Sequence, residues 1–391
     1  MHLNELGIIC ALGDTPAEIR TRMLELGESG VALTRAYSPD RELPLGIVAA
    51  ELSPAENLPI SARSRNNRLA LAALAQIRPA VDSAVERYGR ERIGVVIGTS
   101  TSGIAEAESA LRHYSATGGL PEEFRYSQIE LNSPAALLAA TVGTAGPVYV
   151  HSNACASSAT ALASGARLIR MGVCDAVLAG GVDTLCAFTV AGFASLDSVS
   201  TARCNPLSRN RNGINIGEGA ALFLMTNEPA TVALRGWGES SDAHHMSAPD
   251  PSGAGARLAI ERALQRAGIA AEDVDYINLH GTATLQNDAM EARVVYGLFA
   301  PGVPMSSTKP LTGHALGAAG AIEAGLCWLA MQDDNPRGKL PPHLWDGAAD
   351  PHLPQLNVVK RGDSLGRPLR RALSNSFAFG GANATLVLER E

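Results

Sequence analysis

Gly146-Pro-Val-Tyr-Val-His-Ser-Asn-Ala-Cys155-Ala-Ser-Ser-Ala-Thr-Ala-Leu-Ala163 runs from a short apolar stretch through a turn of small residues into an alanine-rich helical stretch. A strand feeding a helix through so tight a turn reads as a nucleophile elbow, with the side chain at its apex standing clear of the backbone. The helix behind it directs unpaired N–H groups and the positive end of its dipole at the sulfur. Such a setting predicts a thiol shifted toward thiolate. Ala154, Ala156, Ser157 and Ser158 leave room for a substrate to approach. Cys10, Cys174, Cys186, Cys204 and Cys327 have no comparable context and read as small packing residues.

Composition bounds the class. The chain has 391 residues, 46% apolar and 18% charged, with 39 glycines and 4% aromatics, which suits a large α/β enzyme with closely packed layers. A formal charge of −7 argues against nucleic acid as a partner. Six cysteines without paired spacing give neither a disulfide framework nor a zinc motif, so a reducing cytoplasm and no metal are expected. Met1 to Gly7 lacks the basic and apolar regions of a secretory signal. The most apolar window, around Ala176 to Leu196, is broken by Asp183 and glycines, so no membrane span is expected.

Short apolar runs alternate with helical patterns: Arg92 to Gly98, a helix from Ala156 to about Met171, then Asp175 to Gly181. Neither a phosphate-binding lysine loop nor a dinucleotide glycine fingerprint is present. The two halves echo each other. Ile97-Gly-Thr-Ser answers Leu279-His-Gly-Thr, and Gly217-Glu-Gly-Ala-Ala-Leu-Phe-Leu-Met answers Gly380-Gly-Ala-Asn-Ala-Thr-Leu-Val-Leu. Two copies of one α/β unit, 1–230 and 231–391, would place a reactive centre at their junction.

The second half supplies two histidines on distinctive loops. His280 ends the apolar run Val274-Asp-Tyr-Ile-Asn-Leu, and His314 follows Ser306-Ser-Thr-Lys309-Pro-Leu-Thr-Gly just before a helix. His2, His113, His151, His343 and His352 read as surface or packing residues. One thiol and two imidazoles fit covalent acyl chemistry, and two neutral imidazoles donating to one oxygen would stabilise an enolate. Lys309 is placed to fix an imidazole tautomer and depress its proton affinity. Glu323 has two open roles, orienting Lys309 or bridging backbone groups. Near the C-terminal end, Ser374-Asn-Ser-Phe377-Ala-Phe379-Gly-Gly-Ala-Asn383 sets two phenylalanines before a Gly-Gly turn, as a gate over an acyl channel would. Two core phenylalanines preceding a strand would look the same in isolation.

Taken together, the motifs resemble the chain-elongating β-ketoacyl-acyl carrier protein synthases, condensing enzymes of the thiolase fold. The matching stretches are Ala154-Cys155-Ala156, Val182-Asp183, Arg211-Asn-Gly213, Gly217-Glu218-Gly219, Ser241-Asp242-Ala-His-His245-Met, His280 to Thr284 with Asp288 and Glu291, Lys309 to Glu323, and Phe377 to Asn383. The resemblance implies two duplicated α/β halves in a five-layered αβαβα structure. It also implies decarboxylating Claisen condensation of a Cys155-bound acyl group with malonyl-acyl carrier protein, without a cofactor. His280 and His314 would support decarboxylation, with Lys309 organising them and Glu323, Thr282 and Thr284 behind. Backbone N–H groups of Cys155 and Phe379 would form the oxyanion hole. Phe379, flanked by Phe377, Ala378 and Gly380, would be the gate, backed by the loop containing Asp242 and His245. Acyl carrier protein is the implied partner and a homodimer the implied assembly, with a heterodimer containing a ketosynthase-like chain as the alternative.

Three departures from the family pattern bear on specificity. Ala378 stands where the family has glycine, making a left-handed conformation there harder to reach. Pro206-Leu207-Ser208 replaces Pro-Phe-Asp, which is expected to alter a pocket wall at Leu207. Thr101, in Gly98-Thr-Ser-Thr-Ser-Gly103, falls where such enzymes carry a residue limiting chain length. Arg65-Asn-Asn-Arg68, Asp242-Ala-His-His245 and Pro341-Pro-His-Leu-Trp345-Asp look more like the aryl-polyene type than the fatty-acid type. Competing readings are a non-catalytic, length-determining subunit and a degradative thiolase. Cys155, His280 and His314 are all present, against the first. The absence of a cysteine in the Phe377–Asn383 loop disfavours the second.

Overall fold

The computed structural model describes residues 1–299 and 301–391. In the first half, β1 (His2–Cys10), β2 (Ile93–Gly98), β3 (Val148–His151), β4 (Ala176–Asp183) and β5 (Gly219–Thr226) lie in the order β3-β2-β4-β5-β1. In the second, β6 (Val232–Ser241), β7 (Tyr276–Asn278), β8 (Met305–Ser306), β9 (Arg371–Phe377) and β10 (Ala382–Arg390) lie in the order β8-β7-β9-β10-β6. Within each half the first three strands of that order pair parallel and the remaining pairs are antiparallel. Topology is therefore repeated strand for strand. The echoed sequence segments fall at the ends of β2 and β7 and at the starts of β5 and β10, the equivalent positions. A single pairing, His2 with Ala233, joins the two sheets through β1 and β6.

The helices used below are α1 (Arg65–Tyr88), α2 (Ile104–Thr117), α3 (Ser157–Arg170), α4 (Ala187–Ser195), α5 (Ala254–Ala267), α6 (Leu285–Leu298) and α7 (Ala319–Ala330). α3 and α7 pack together between the two sheets, while α1 covers the outer face of the first sheet and α5 that of the second. This makes the five layers of a thiolase-like fold. Strand sequences show why the middle strands read as unbroken apolar runs. On β5, Ala221, Phe223 and Met225 face the central core around α3 and α7, whereas Ala220, Leu222 and Leu224 face the outer core under α1. β4 divides likewise, with Val177 and Ala179 inward and Ala176 and Leu178 outward. A strand buried on both faces has no position for an alternating polar residue.

Close approach is needed where β2 meets α3. A Cβ on Gly98 would lie 2.3 Å from Ser158 N and 2.4 Å from Ser157 C, both backbone atoms at the start of the helix behind Cys155. Only glycine allows that contact. Gly98→Ala is expected to destabilise the protein by about 1–3 kcal/mol, the usual range for overpacking, and to displace the elbow. The control Gly119→Ala, where a Cβ meets nothing within 4 Å, is expected to stay within about 0.5 kcal/mol. Denaturant unfolding of both variants checks the difference.

Candidate active site

Cys155 occupies a short turn, Ala154–Ala156, between β3 and α3. Ala154 has φ 51°, a left-handed strain that costs roughly 1–3 kcal/mol at a non-glycine residue. Ser157 braces the turn: its hydroxyl donates to Ala154 O at 2.6 Å and accepts from Asn153 N at 3.0 Å. The sulfur is buried, with the residue only 6% exposed. Here the structure corrects the sequence reading. Burial pushes the thiol up to about 11, and the opposing pull of Lys309 and the backbone N–H of Phe379 does not offset it. The α-helix proper begins only at Ser157, so its dipole acts through an intervening turn. The resting group is a thiol that must lose its proton during attack.

The proton's neighbour is His314. Its Nε2 lies 3.0 Å from Cys155 Sγ, and its backbone is held across the junction by His314 N to Asn215 O (2.7 Å) and Gly217 N to His314 O (2.9 Å). Nδ1 has no partner among the described residues. Nothing therefore fixes its tautomer, and Nε2 is free either to accept the thiol proton or to donate to an oxyanion.

His280 is held differently. Its backbone N–H and that of Gly281 donate to the two oxygens of Glu291 on α6, at 2.8 and 2.7 Å. Lys309 Nζ donates to His280 O at 2.5 Å and to Glu323 Oε1 at 2.5 Å, and lies 3.3 Å from His280 Nδ1. An ammonium only donates, so Nδ1 accepts and the ring proton sits on Nε2. Burial and the positive field of Lys309 hold both imidazoles well below the usual 6.5, with His314 adding to the effect on His280. Both rings are neutral at physiological pH. They stand 5.4 Å apart at 83°. Of the two roles open to Glu323, orienting Lys309 is the one its geometry fits.

Ligand atoms of Cys155, His280 and His314 lie within 4.8 Å of one another, a donor set of the kind that holds zinc. The same Lys309 charge that lowers the proton affinity of the imidazoles opposes any other cation there. A group developing negative charge suits the site better.

Two cavities meet at the sulfur. One is walled by His280, His314, Thr282, Thr284 and Phe377; the other, of about 420 Å³, by Thr101, Ile104, Phe188, Gly192 and Leu316. Phe193 and Phe379 line both, with ring centroids 5.7 Å apart, and so form the partition. Phe377 packs edge-on against His280 at 6.2 Å. Thr282 and Thr284, expected behind the histidines, instead face the first cavity, with their hydroxyls 2.9 Å apart.

The other expected residues divide. Thr101 does line the second cavity. Leu207 lines neither; its N–H is held by Asp288 at 2.8 Å and it borders a separate surface groove formed with residues 345–360. The reason is that its side chain is buried in the second-half core with Leu279, Met290 and Phe377. Ala378 is extended (φ −98°, ψ 155°) and unstrained, while the left-handed residues of the turn are Gly380 and Gly381, each with φ 81°. Asp242 backs that turn, accepting from Asn383 Nδ2 at 2.7 Å, and the turn is further tied by Gly380 N to Met246 O at 2.8 Å. His245 is exposed and lines neither cavity. Sequence reasoning missed Phe193. An aromatic on an apolar helix carries no local signal, although its place after Asp183 in a chain with few phenylalanines was a clue.

A buried thiol, two neutral imidazoles and a divided cavity define a site for covalent acyl transfer coupled to stabilisation of an enolate. Comparison with known proteins agrees. Residues 59–230 match the N-terminal domain and residues 231–344 the C-terminal domain of the β-ketoacyl synthase family. A 3-oxoacyl-[acyl-carrier-protein] synthase 2 from Synechocystis is 30% identical over 98% of this chain and 96% of its own. A chain of the complex of the ketosynthase ApeO with its chain length factor ApeC from Xenorhabdus doucetiae superposes with TM-score 0.92 at 45% identity, covering 99% of this chain and 97% of that one. A chain of AntDE:AntF, a ketosynthase bound to its acyl-carrier protein, gives 0.86 at 25% identity, covering 99% and 98%. The chain belongs to the β-ketoacyl synthase family. It is a condensing acyltransferase of thiolase-like fold.

With the thiol held protonated, alkylation of Cys155 by iodoacetamide is expected to climb with pH through 9 and to reach half its limiting rate only near 11. Peptide mass spectrometry of the modified elbow measures this. A plateau by pH 8 would show a thiolate at neutral pH and contradict the burial argument.

Proposed function

We propose that Cys155 accepts an acyl group from an acyl carrier protein and that the acyl-enzyme condenses with malonyl-acyl carrier protein. The carrying observation is the approach of His314 Nε2 to the sulfur at 3.0 Å, beside a His280 whose Nε2–H faces the same space. In the first step the sulfur attacks the acyl thioester, its proton passes to His314, and the carrier thiol leaves with a proton. In the second, the bond between the malonyl carboxylate and methylene breaks, carbon dioxide leaves, and the electron pair remains as an enolate. Nε2–H groups of His280 and His314 hold its oxygen. The carbanion attacks the acyl carbonyl within the N–H groups of Cys155 and Phe379, and the tetrahedral species collapses with Cys155 sulfur as leaving group. The product is a 3-oxoacyl chain on the carrier, and one proton restores the thiol. Phe379, against Phe193, gates passage between the malonyl and acyl cavities.

The acyl cavity supports an aryl-polyene-type substrate. Phe188, Phe193 and Phe379 give it flat apolar faces, and Gly192, with nothing within 4 Å of its Cβ position, leaves open length for a rigid conjugated chain. A second ketosynthase-fold chain is the proposed partner besides the carrier protein. β3 is an edge strand; His151 Nε2 and Asn153 Oδ1 beside it lack partners among the described residues, and Phe188 and Leu196 are exposed. The 45% identity to a ketosynthase–chain length factor complex favours a heterodimer over a homodimer. A cytoplasmic location fits six free cysteines and the absence, among the described residues, of any helix long and apolar enough to cross a membrane. Division into halves at 230/231 is supported by the repeated strand order and by the limits of the two family domains.

Purified protein given acyl- and malonyl-carrier protein is expected to release carbon dioxide and form the 3-oxoacyl product. Cys155→Ala should lower condensation at least about a thousandfold. His280→Ala should retain acylation of Cys155 while losing decarboxylation. Absence of any acyl adduct on Cys155 by intact-mass measurement would overturn the reading.

A further inference from the structure

Asp183 closes β4 with its side chain fully buried, and among the described residues no cation touches it. Its carboxylate is instead satisfied entirely by hydrogen bonds. It accepts from Thr99 Oγ1 (2.7 Å), Ser100 N (2.8 Å) and Oγ (2.6 Å), Thr101 N and Oγ1 (both 2.8 Å), and Gly317 N (2.6 Å). Five of these donors come from one loop of the first half. The sixth comes from the second half, three residues beyond His314.

The placement of those donors matters more than their number. Ser100 and Thr101 line the acyl cavity, and so does Leu316, the left-handed residue (φ 47°) next to Gly317. One carboxylate thus sits behind the wall that an acyl chain would press and is also tied to the turn that carries His314. Its negative charge reaches the sulfur, raising the proton affinity of the Cys155 thiol. Hydrogen bonds to an ionised acceptor are short and strong, and removing the acceptor orphans buried donors on both sides of the junction.

We propose that Asp183 is a positioning residue through which occupancy of the acyl cavity sets His314 for decarboxylation. The proposal rests on the ketosynthase reading above. A chain seated against Ser100, Thr101 and Leu316 fixes the 99–101 loop, Asp183 carries that constraint to Gly317, and the His314 turn is held in its enolate-binding position. Carbon dioxide is then released mainly when a chain is ready to receive the carbanion. A chain too short to reach Ser100 and Thr101 leaves the link unused.

The test measures first-turnover release of carbon dioxide from malonyl-pantetheine by the full-length protein. Cys155 is free, acetylated or loaded with a long acyl chain, and loading is checked by intact mass. Wild-type protein is expected to release carbon dioxide faster with the long chain than with acetyl. In Asp183→Asn the advantage of the long chain over acetyl should fall about fivefold, a size within the range for coupling through a contiguous network. Its thiol should also alkylate at lower pH, because a negative neighbour has been removed. A purely structural role would reduce all three loading states together and leave their ratios unchanged. Should Asp183→Asn fail to fold, Thr101→Val, which deletes one donor and keeps the shape, should reduce the same ratio. Wild-type-like dependence on chain length in the variants, or none in the wild type, overturns the proposal. No carbon dioxide from any loading state of the wild type would instead overturn the ketosynthase reading.

Discussion

The arrangement around Cys155 depends on one buried ammonium. Lys309 is 1% exposed and lies between the Glu323 carboxylate, the carbonyl of His280 and that residue's Nδ1. Removing a charged group from water is expensive, and the ion pair with Glu323 compensates for it only if both partners remain; losing one costs about 3–5 kcal/mol. From that constraint the chemistry follows. The ammonium assigns the His280 tautomer by occupying Nδ1, and its field adds to burial in keeping both imidazoles neutral and discourages metal cations. It also pulls the thiol downward against burial. Glu323 lies on α7 and Lys309 in the turn before His314, so the two second-half segments that shape the site are fixed to each other by this ion pair.

Carboxylates recur as anchors of backbone N–H groups at the junction of the halves. Glu291 holds the His280 loop; Asp288 holds Ala283 and Leu207, both left-handed; Asp183 holds the 99–101 loop and Gly317. Loops at strand ends lack ladder partners, and buried N–H groups there need acceptors. A buried carboxylate meets several at once. The duplicated topology brings these loops together, because equivalent strands end at the same face of the molecule and α3 and α7 run side by side between the sheets.

Much of this was legible in the sequence because it rests on local pattern. Gly146 to Ala163 carries a strand, a small-residue turn and a helix in order, and the echo between Ile97-Gly-Thr-Ser and Leu279-His-Gly-Thr marks equivalent strand ends. Cys155, His280, His314 and Lys309 each sat on a distinctive loop, and the structure brings them together. What could not be read depends on burial and on backbone angles. The thiol is raised because its surroundings are dry, a property of packing between halves far apart in sequence. Leu207 misses the pocket because its side chain joins the second-half core, and Ala378 is unstrained because Gly380 and Gly381 make the turn. Phe193, and the role of Asp183 within its Val182-Asp183 motif, emerge only once the two cavities and the junction are visible.

The central claim is that His280, kept neutral by burial and the Lys309 charge, has its proton fixed on Nε2 by Lys309. Nitrogen-15 NMR of the protein labelled in histidine, with His280→Gln used for assignment, reads tautomer and charge directly. At pH 6 the account predicts a His280 signal pair of the neutral Nε2–H form, with Nδ1 at the shift of a hydrogen-bonded acceptor. An imidazolium, or a neutral ring protonated on Nδ1, would contradict it.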